Sequence, residues 1–419
     1  MKDSIFAYRN ILFISLCVSI SIFLGDRNIN WALVSVIALS PVSLLFSKIK
    51  TVDKSDFLML LVLGFMLVNG FIHGGFRLSS YIFSVCFVTS FVYLKGAVKK
   101  GFFSPDKISE LLKFLIFLYT VILVIQQLCV IIGVTPFLAS NYDENFKWKL
   151  SSLSPEPSHF AVFIFFMMYA HILLYEIKKG KRYKLGDISN EKFLWLAYFY
   201  CMLGSGSTSG VIYVLLIFFR FVRGKTILLY TGIFAVVFFV VNRYFTETQS
   251  LVRVDSLWKA LLTLDGEAIL NADHSAAMRL SPMIYFFNNI EFGNIDFWFG
   301  HGMDYGKRVF NIYMFDVSGD GTYNEFEGVY MGGFWGFILD YGFISFCLLV
   351  AALVSLFKNI RDKWYMLFYA VLMMFTGFNM QMFWFATILS YTVAFYNMRC
   401  NTVTSMHIRR NRQPLTIIQ

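Results

Sequence analysis

Apolar residues fall in long blocks along this chain, at 5–24, 31–47, 57–72, 78–94, 108–133, 158–176, 193–204, 209–222, 226–241, 329–357, 364–377 and 382–397. Read as helices, these blocks predict an all-α polytopic membrane protein with about twelve transmembrane helices. Several are shorter than the roughly 20 residues a perpendicular span needs, so some ends sit below the membrane surface or lie a few residues from where the hydropathy changes. Composition agrees: 58% of the 419 residues are hydrophobic and the mean hydropathy is +0.63, which excludes a soluble globular chain.

The net charge of +10 raises the possibility of a nucleic-acid partner, but the basic residues occupy short clusters between apolar blocks, so no nucleic acid is expected. Lys48, Lys50 and Lys54, then Lys95, Lys99, Lys100 and Lys107, then Arg220, Arg223 and Lys225, then Lys358, Arg361 and Lys363 all follow or precede spans on one side. The positive-inside rule makes that side cytoplasmic, with both termini, and the first span, without a small-residue cleavage site and followed at once by another, reads as an anchor rather than a removed signal. Cys17, Cys86, Cys129, Cys201 and Cys347 fall in or beside spans and Cys400 in the tail, so no disulfide framework is expected.

One membrane domain, residues 1–419, is interrupted by a single long outer loop at 242–328. That loop holds twelve acids against six bases, so any anion site within it is local. Residues 250–264 have the pattern of an interfacial helix, 282–290 of a second helix starting at Pro282, and 297–302 (Phe-Trp-Phe-Gly-His-Gly) of an aromatic anchor followed by a tight turn. Gly-Ser-Gly-Ser-Thr-Ser-Gly at 204–210 reads as the tip between two short helices. One continuous span there would put the later basic clusters on the wrong side.

Candidate chemistry begins at 151–161, Ser-Ser-Leu-Ser-Pro-Glu-Pro-Ser-His-Phe-Ala. Pro157 suits a first helical position, and Glu156 and His159 stand three residues apart on one face of that helix start. Glu156 reads as a site carboxylate or as an N-terminal cap, and His159 as a ligand or a helix-start histidine. Arg279 precedes Gly293 by a helix length and reads as a site cation or as a solvated helix-start arginine. His301, between two glycines, is a base, a phosphate ligand or a turn residue. Arg77, Arg243 and Arg253 are further cations, and Ser158 and Ser207 supply hydroxyls and helix-start amides for an anion. The carboxylate pairs Asp265/Glu267 and Glu325/Glu327 do not make a metal site, and no metal or cofactor is expected.

The Glu-Pro-Ser at 156–158, the Ser/Gly break, the long loop with Arg279 and Phe-Gly-His-Gly, and the Gly-Phe-Trp-Gly-Phe-Ile-Leu-Asp-Tyr-Gly start of the next span together resemble Wzy-type O-antigen polymerases. The resemblance implies an inverting, metal-independent glycosyltransferase of GT-C-like fold in the bacterial inner membrane, its site facing the periplasm. Its substrate would be an undecaprenyl-diphosphate-linked oligosaccharide, with membrane lipid around it and a chain-length regulator as a possible protein partner. Glu156 then becomes the general base and Arg279 the cation for the diphosphate, with His301 as base or ligand and Arg77, Ser158, His159, Ser207, Arg243 and Arg253 as diphosphate-binding candidates. O-antigen ligase and a lipid-linked oligosaccharide flippase are the alternatives.

Overall fold

The computed structural model describes residues 2–18, 30–46, 53–73, 77–138, 142, 144, 147–221, 232, 274–318 and 333–410. Among them there is no strand. The helices are α1 (Lys2–Cys17), α2 (Trp31–Ala38), α3 (Ser40–Phe46), α4 (Lys54–Ile72), α5 (Leu78–Lys99), α6 (Pro105–Ile132), α7 (Pro157–Lys179), α8 (Leu185–Ile188), α9 (Lys192–Gly204), α10 (Thr208–Phe219), α11 (His274–Asn289), α12 (Ile295–Phe299), α13 (Tyr305–Ser318), α14 (Gly333–Phe357), α15 (Lys363–Phe375) and α16 (Gln381–Arg410). Eleven of the twelve apolar blocks coincide with described helices, and block 226–241 lies, Gly232 apart, outside the described residues. Among the described residues five helices, α4, α5, α6, α7 and α14, are long and apolar enough to cross a membrane.

Local chemistry sets the ends. Ser104 caps α6 by accepting from Lys107 N, Pro105 occupies its first turn, and Gly133 closes it in the left-handed conformation at φ 79°. Helix α7 has the same punctuation, with Pro157 at its start and Gly180 at its end. Asp53 and Asp56 form a reciprocal capping box on α4.

Helix α7 is apolar around its whole circumference, and residues Phe160–Leu174 are all buried between α6, α9, α10 and α16. It is the axis of the bundle. Across from it, Thr387, Ser390 and Thr392 of α16 return their hydroxyls to the carbonyls four residues back, which keeps them satisfied inside apolar packing.

Charged side chains gather at one end of this bundle. Lys95, 1% exposed, donates to Asp53 at 2.5 Å and to Ser55 and Asp56 at 2.6 Å, while Lys99 reaches the other Asp53 oxygen at 2.7 Å. Burial pushes the Asp53 carboxyl up, but the hydrogen bonds from Lys95, Lys99 and Ser55 outweigh it and hold the group well below the usual carboxylate range. Arg220 forks between Glu176 and Asp362 beneath the Tyr169 ring, and Asp362 also caps α15. His171, fully buried, bridges Ser109 (2.9 Å) and Glu191 (3.0 Å), and Lys113 stands 3.3 Å from Glu191. The far half of α16 also meets this end, through Tyr396 to the Phe103 carbonyl, Asn397 to that of Asn359 and Lys95 over the Tyr391 ring.

Two expectations change here. Lys95 and Arg220, expected in inner loops, lie in the last turns of α5 and at the end of α10 as buried members of ion networks with Asp53, Asp56, Glu176 and Asp362. The helix expected to start at Pro282 starts at His274, with Pro282 in its interior.

Arg220→Ala is expected to destabilise the fold by about 3–5 kcal/mol, since it strands two carboxylates beside buried packing. Arg220→Lys should recover only part of this, because an ammonium does not fork between two acceptors. Thermal unfolding in detergent measures both. Burial opposes ionisation of Glu191, but His171 and Lys113 hold it down from an ordinary 4.5 to about 2. The stability it adds is therefore present above its unfolded-state value and is lost as pH falls through that value toward 2. Glu191→Gln should flatten stability against pH across that acid window.

Candidate functional site

At the end of the bundle away from the ion networks, the chain between α6 and α7 drops into the helices. Ser152, left-handed at φ 51°, donates its amide to Gln126 Oε1 (2.9 Å) and its hydroxyl to the Tyr119 carbonyl (2.7 Å), and Gln126 Nε2 returns a bond to the Ser152 carbonyl (3.1 Å). Ser151, Ser152 and Ser154 are all buried. This polar run carries the chain to Glu156 as a fixed support. Gln126 was missed in reading the sequence; a glutamine inside an apolar span signals a partner, because an amide in hydrocarbon must be paired.

Glu156 occupies the cap position of α7 with extended backbone (φ −136°, ψ 148°), yet its side chain makes no capping hydrogen bond. Its Oε2 instead accepts from Ser158 Oγ at 3.1 Å and lies 3.9 Å from His159 Nε2. The carboxylate and imidazole are 45% and 32% exposed. This removes the reading of Glu156 as a simple cap. It leaves a carboxylate, a hydroxyl and an imidazole gathered at the positive end of the bundle's axial helix, an arrangement suited to taking up a proton or holding an anion.

The Ser/Gly tip lies next to this support. Helices α9 and α10 form a hairpin, with Trp195 and Phe199 of α9 against Phe218 of α10, as the two-helix expectation required. Ser205 and Ser207 are buried, and Leu150 N donates to the Ser205 carbonyl at 3.1 Å. A Cβ on Gly206 would stand 2.6 Å from the Trp148 carbonyl oxygen, so only glycine fits that left-handed position. The Ser207 amide points to Ser205 Oγ and the Gly210 amide to the Ser207 carbonyl, so the tip turns these donors inward.

A second cluster surrounds the Phe-Gly-His-Gly turn. Helix α14 breaks at Gly342 (φ 80°, ψ 163°), and the turn docks into the break. His301 N donates to the Leu339 carbonyl (2.9 Å) and Gly302 N to that of Asp340 (3.0 Å). The fit is reciprocal: a Cβ on Gly300 would lie 2.4 Å from the Asp340 carbonyl, and one on Gly342 would lie 2.3 Å from that of Trp298. Asn69 of α4 donates to the Phe299 carbonyl, and Gly306 N to Asp340 Oδ1 at 2.7 Å. The His301 ring stacks on Tyr305 at 4.1 Å, with Nδ1 3.3 Å from the Leu339 carbonyl and Nε2 3.8 Å from Asp296. His301 thus serves the turn with one nitrogen and faces a carboxylate with the other.

Arg77 pairs with Asp304 at 3.0 Å, and Gly302 lies against His73, so Arg77 and His301 belong to one cluster. Glu156, Ser158 and His159 form the other, with Ser207 on the neighbouring tip. Arg279 lies inside α11 rather than at a helix start. Arg243 and Arg253, like the helix expected at 250–264, lie outside the described residues. Among the described residues no group of three His, Cys, Asp or Glu side chains is placed to hold a metal, and all six cysteines are free.

No protein-family model, no curated protein and no solved structure matches this chain.

Gly300→Ala is expected to lower stability by more than about 1 kcal/mol, since it combines a left-handed position with a backbone clash. It should also open residues 295–302 to proteolysis. Gly293→Ala, where a Cβ meets nothing within 4 Å, is the matched control and should do neither.

Proposed function

We propose that this chain is an O-antigen-type polysaccharide polymerase, a twelve-span, GT-C-like glycosyltransferase of the bacterial inner membrane. The observation that carries the reading is Glu156: it stands at the mouth of the axial helix, leaves that helix uncapped, and is engaged by Ser158 and His159 instead. The motif resemblance supplies the substrate class. The distribution of charge agrees, because the buried Lys and Arg networks close one end of the bundle and the Glu156 cluster opens at the other. On this reading the basic end is cytoplasmic and Glu156 faces the periplasm.

In the proposed reaction Glu156 takes the proton from a sugar hydroxyl of an incoming lipid-linked repeat. That oxygen attacks the anomeric carbon of the growing chain, a C–O bond forms with inversion, and the bond to undecaprenyl diphosphate breaks. The departing diphosphate needs only cations and helix-start amides, for which Arg279, Arg77, His159 and the first turn of α7 are the candidates. A chain-length regulator would act on how often this step repeats.

The test is a gel of lipopolysaccharide from a strain lacking the gene and from strains carrying Glu156→Gln or Arg279→Ala at equal protein level. Core bearing one repeat without a ladder is expected in all three. A missing general base lowers the rate by about 10²–10⁴-fold. Core without any repeat, with polymer kept on its lipid carrier, would make the chain a ligase, and repeats trapped on the cytoplasmic side would make it a flippase. A normal ladder from Glu156→Gln would remove Glu156 from the chemistry.

A further inference from the structure

Helices α11 and α12, with the turn between them, form a two-sided element. Its inner side is closed: Phe286 stands 5.1 Å from Trp335, Phe297 stacks on Phe343 at 5.2 Å, and Trp298 meets Phe343 edge-on at 5.7 Å. Its outer side presents Phe287, Phe292, Ile295, Trp298 and Phe299, between 41% and 69% exposed. Five large apolar side chains left partly exposed within thirteen residues concentrate apolar surface on this element.

Two observations say what covers it. The first is depth. Phe299 stacks on Phe65 of α4 at 6.1 Å, and its carbonyl takes the Asn69 amide. Phe65 and Asn69 share one face of α4, and Val68 and Ile72, 56% and 73% exposed, border it. The exposed side of α12 therefore continues the outward-facing apolar surface of a helix long enough to span a membrane, about one to two turns inside that helix's last residue. The second is charge. The acids beside the patch are Glu291 and Asp296, which gives the face no attraction for anionic headgroups.

We infer that residues 287–299 form an anchor seated in the lipid of one leaflet, at the boundary of headgroups and acyl chains, on the end of the bundle opposite the ion networks. Aromatic side chains favour that boundary, and the Trp298 indole N–H, bonded to the Phe292 carbonyl at 3.0 Å, enters it already satisfied. The occupant is bilayer lipid recognised by apolar contact, with no requirement for an anionic headgroup. The anchor holds the Phe-Gly-His-Gly turn in the break of α14 from outside, as Asn69 holds it from within. This inference does not depend on the proposed polymerase activity.

The test uses the full chain in proteoliposomes, with a nitroxide attached at Phe292→Cys or Ile295→Cys and, as a water-facing reference, at Lys181→Cys in the loop between α7 and α8, after Cys129, Cys347 and Cys400 are replaced by Ser. Lipid seating predicts that the labels at 292 and 295 are several-fold more accessible to oxygen than to a water-soluble nickel chelate. It also predicts the reverse at 181, and the same values at 292 and 295 in pure phosphatidylcholine and in a mixture of about one-third phosphatidylglycerol. Greater access to the chelate at both 292 and 295 would place the patch in water. Loss of access to both reagents, with dipolar broadening between labels, would mean a second copy of the chain covers it. A signal that appears only with phosphatidylglycerol would mean headgroup charge directs the contact. Each of these three results overturns the inference.

Discussion

A backbone amide or carbonyl at membrane depth has to find a partner within the protein, and the architecture turns on how this chain meets that demand where its helices stop or break. An unbroken helix meets it automatically. At Gly342 it does not, and the freed carbonyls of Leu339 and Asp340 are taken by amides of residues 301 and 302, some forty positions away. At the Ser/Gly tip the Ser205 carbonyl is taken by Leu150, and at 152 both backbone groups are taken by the side chain of Gln126. Each repair also fixes an irregular segment in place, and the irregular segments are where the candidate chemistry lies.

The charged groups divide the molecule in a second way. Networks around Lys95, Arg220 and His171 pair helix end to helix end, α4 with α5, α7 with α10 and α15, and α6 with α7 and the residues before α9. They are nearly saturated with partners and bind the bundle at one end. At the other end Glu156 and His159 are partly exposed and stand 3.9 Å apart. A rigid, charge-locked end and a partly open, polar end suit a protein that holds a substrate at one membrane face.

Most of the helices were legible in the sequence, because apolar runs bounded by Ser104-Pro105 and Gly133, or by Pro157 and Gly180, state their limits locally. The separation of α9 from α10 was legible from charge alone. What escaped depends on contacts between distant segments. Gly342 sits inside an unbroken apolar block, and only residues 299–302 make its break possible. Lys95 and Arg220 read as topology signals, and the pattern of charge does not show that Asp53, Asp56, Glu176 and Asp362 lie beside them. Pro282 looked like a helix start and instead lies inside α11. For Glu156 the sequence left two readings open, a cap or a site. The structure keeps the residue at the cap position and gives its side chain no capping hydrogen bond.

The central claim is that Glu156 performs the proton transfer rather than shaping the helix start. The direct measurement is made on purified protein in proteoliposomes supplied with an undecaprenyl-diphosphate-linked repeat, following product length by mass in wild type and Glu156→Gln. The account predicts polymer from wild type, and from Glu156→Gln repeat that still binds the proteoliposomes but is not extended, with unfolding temperature unchanged. Polymer formed by Glu156→Gln at the wild-type rate, or loss of activity matched by loss of fold, would contradict it.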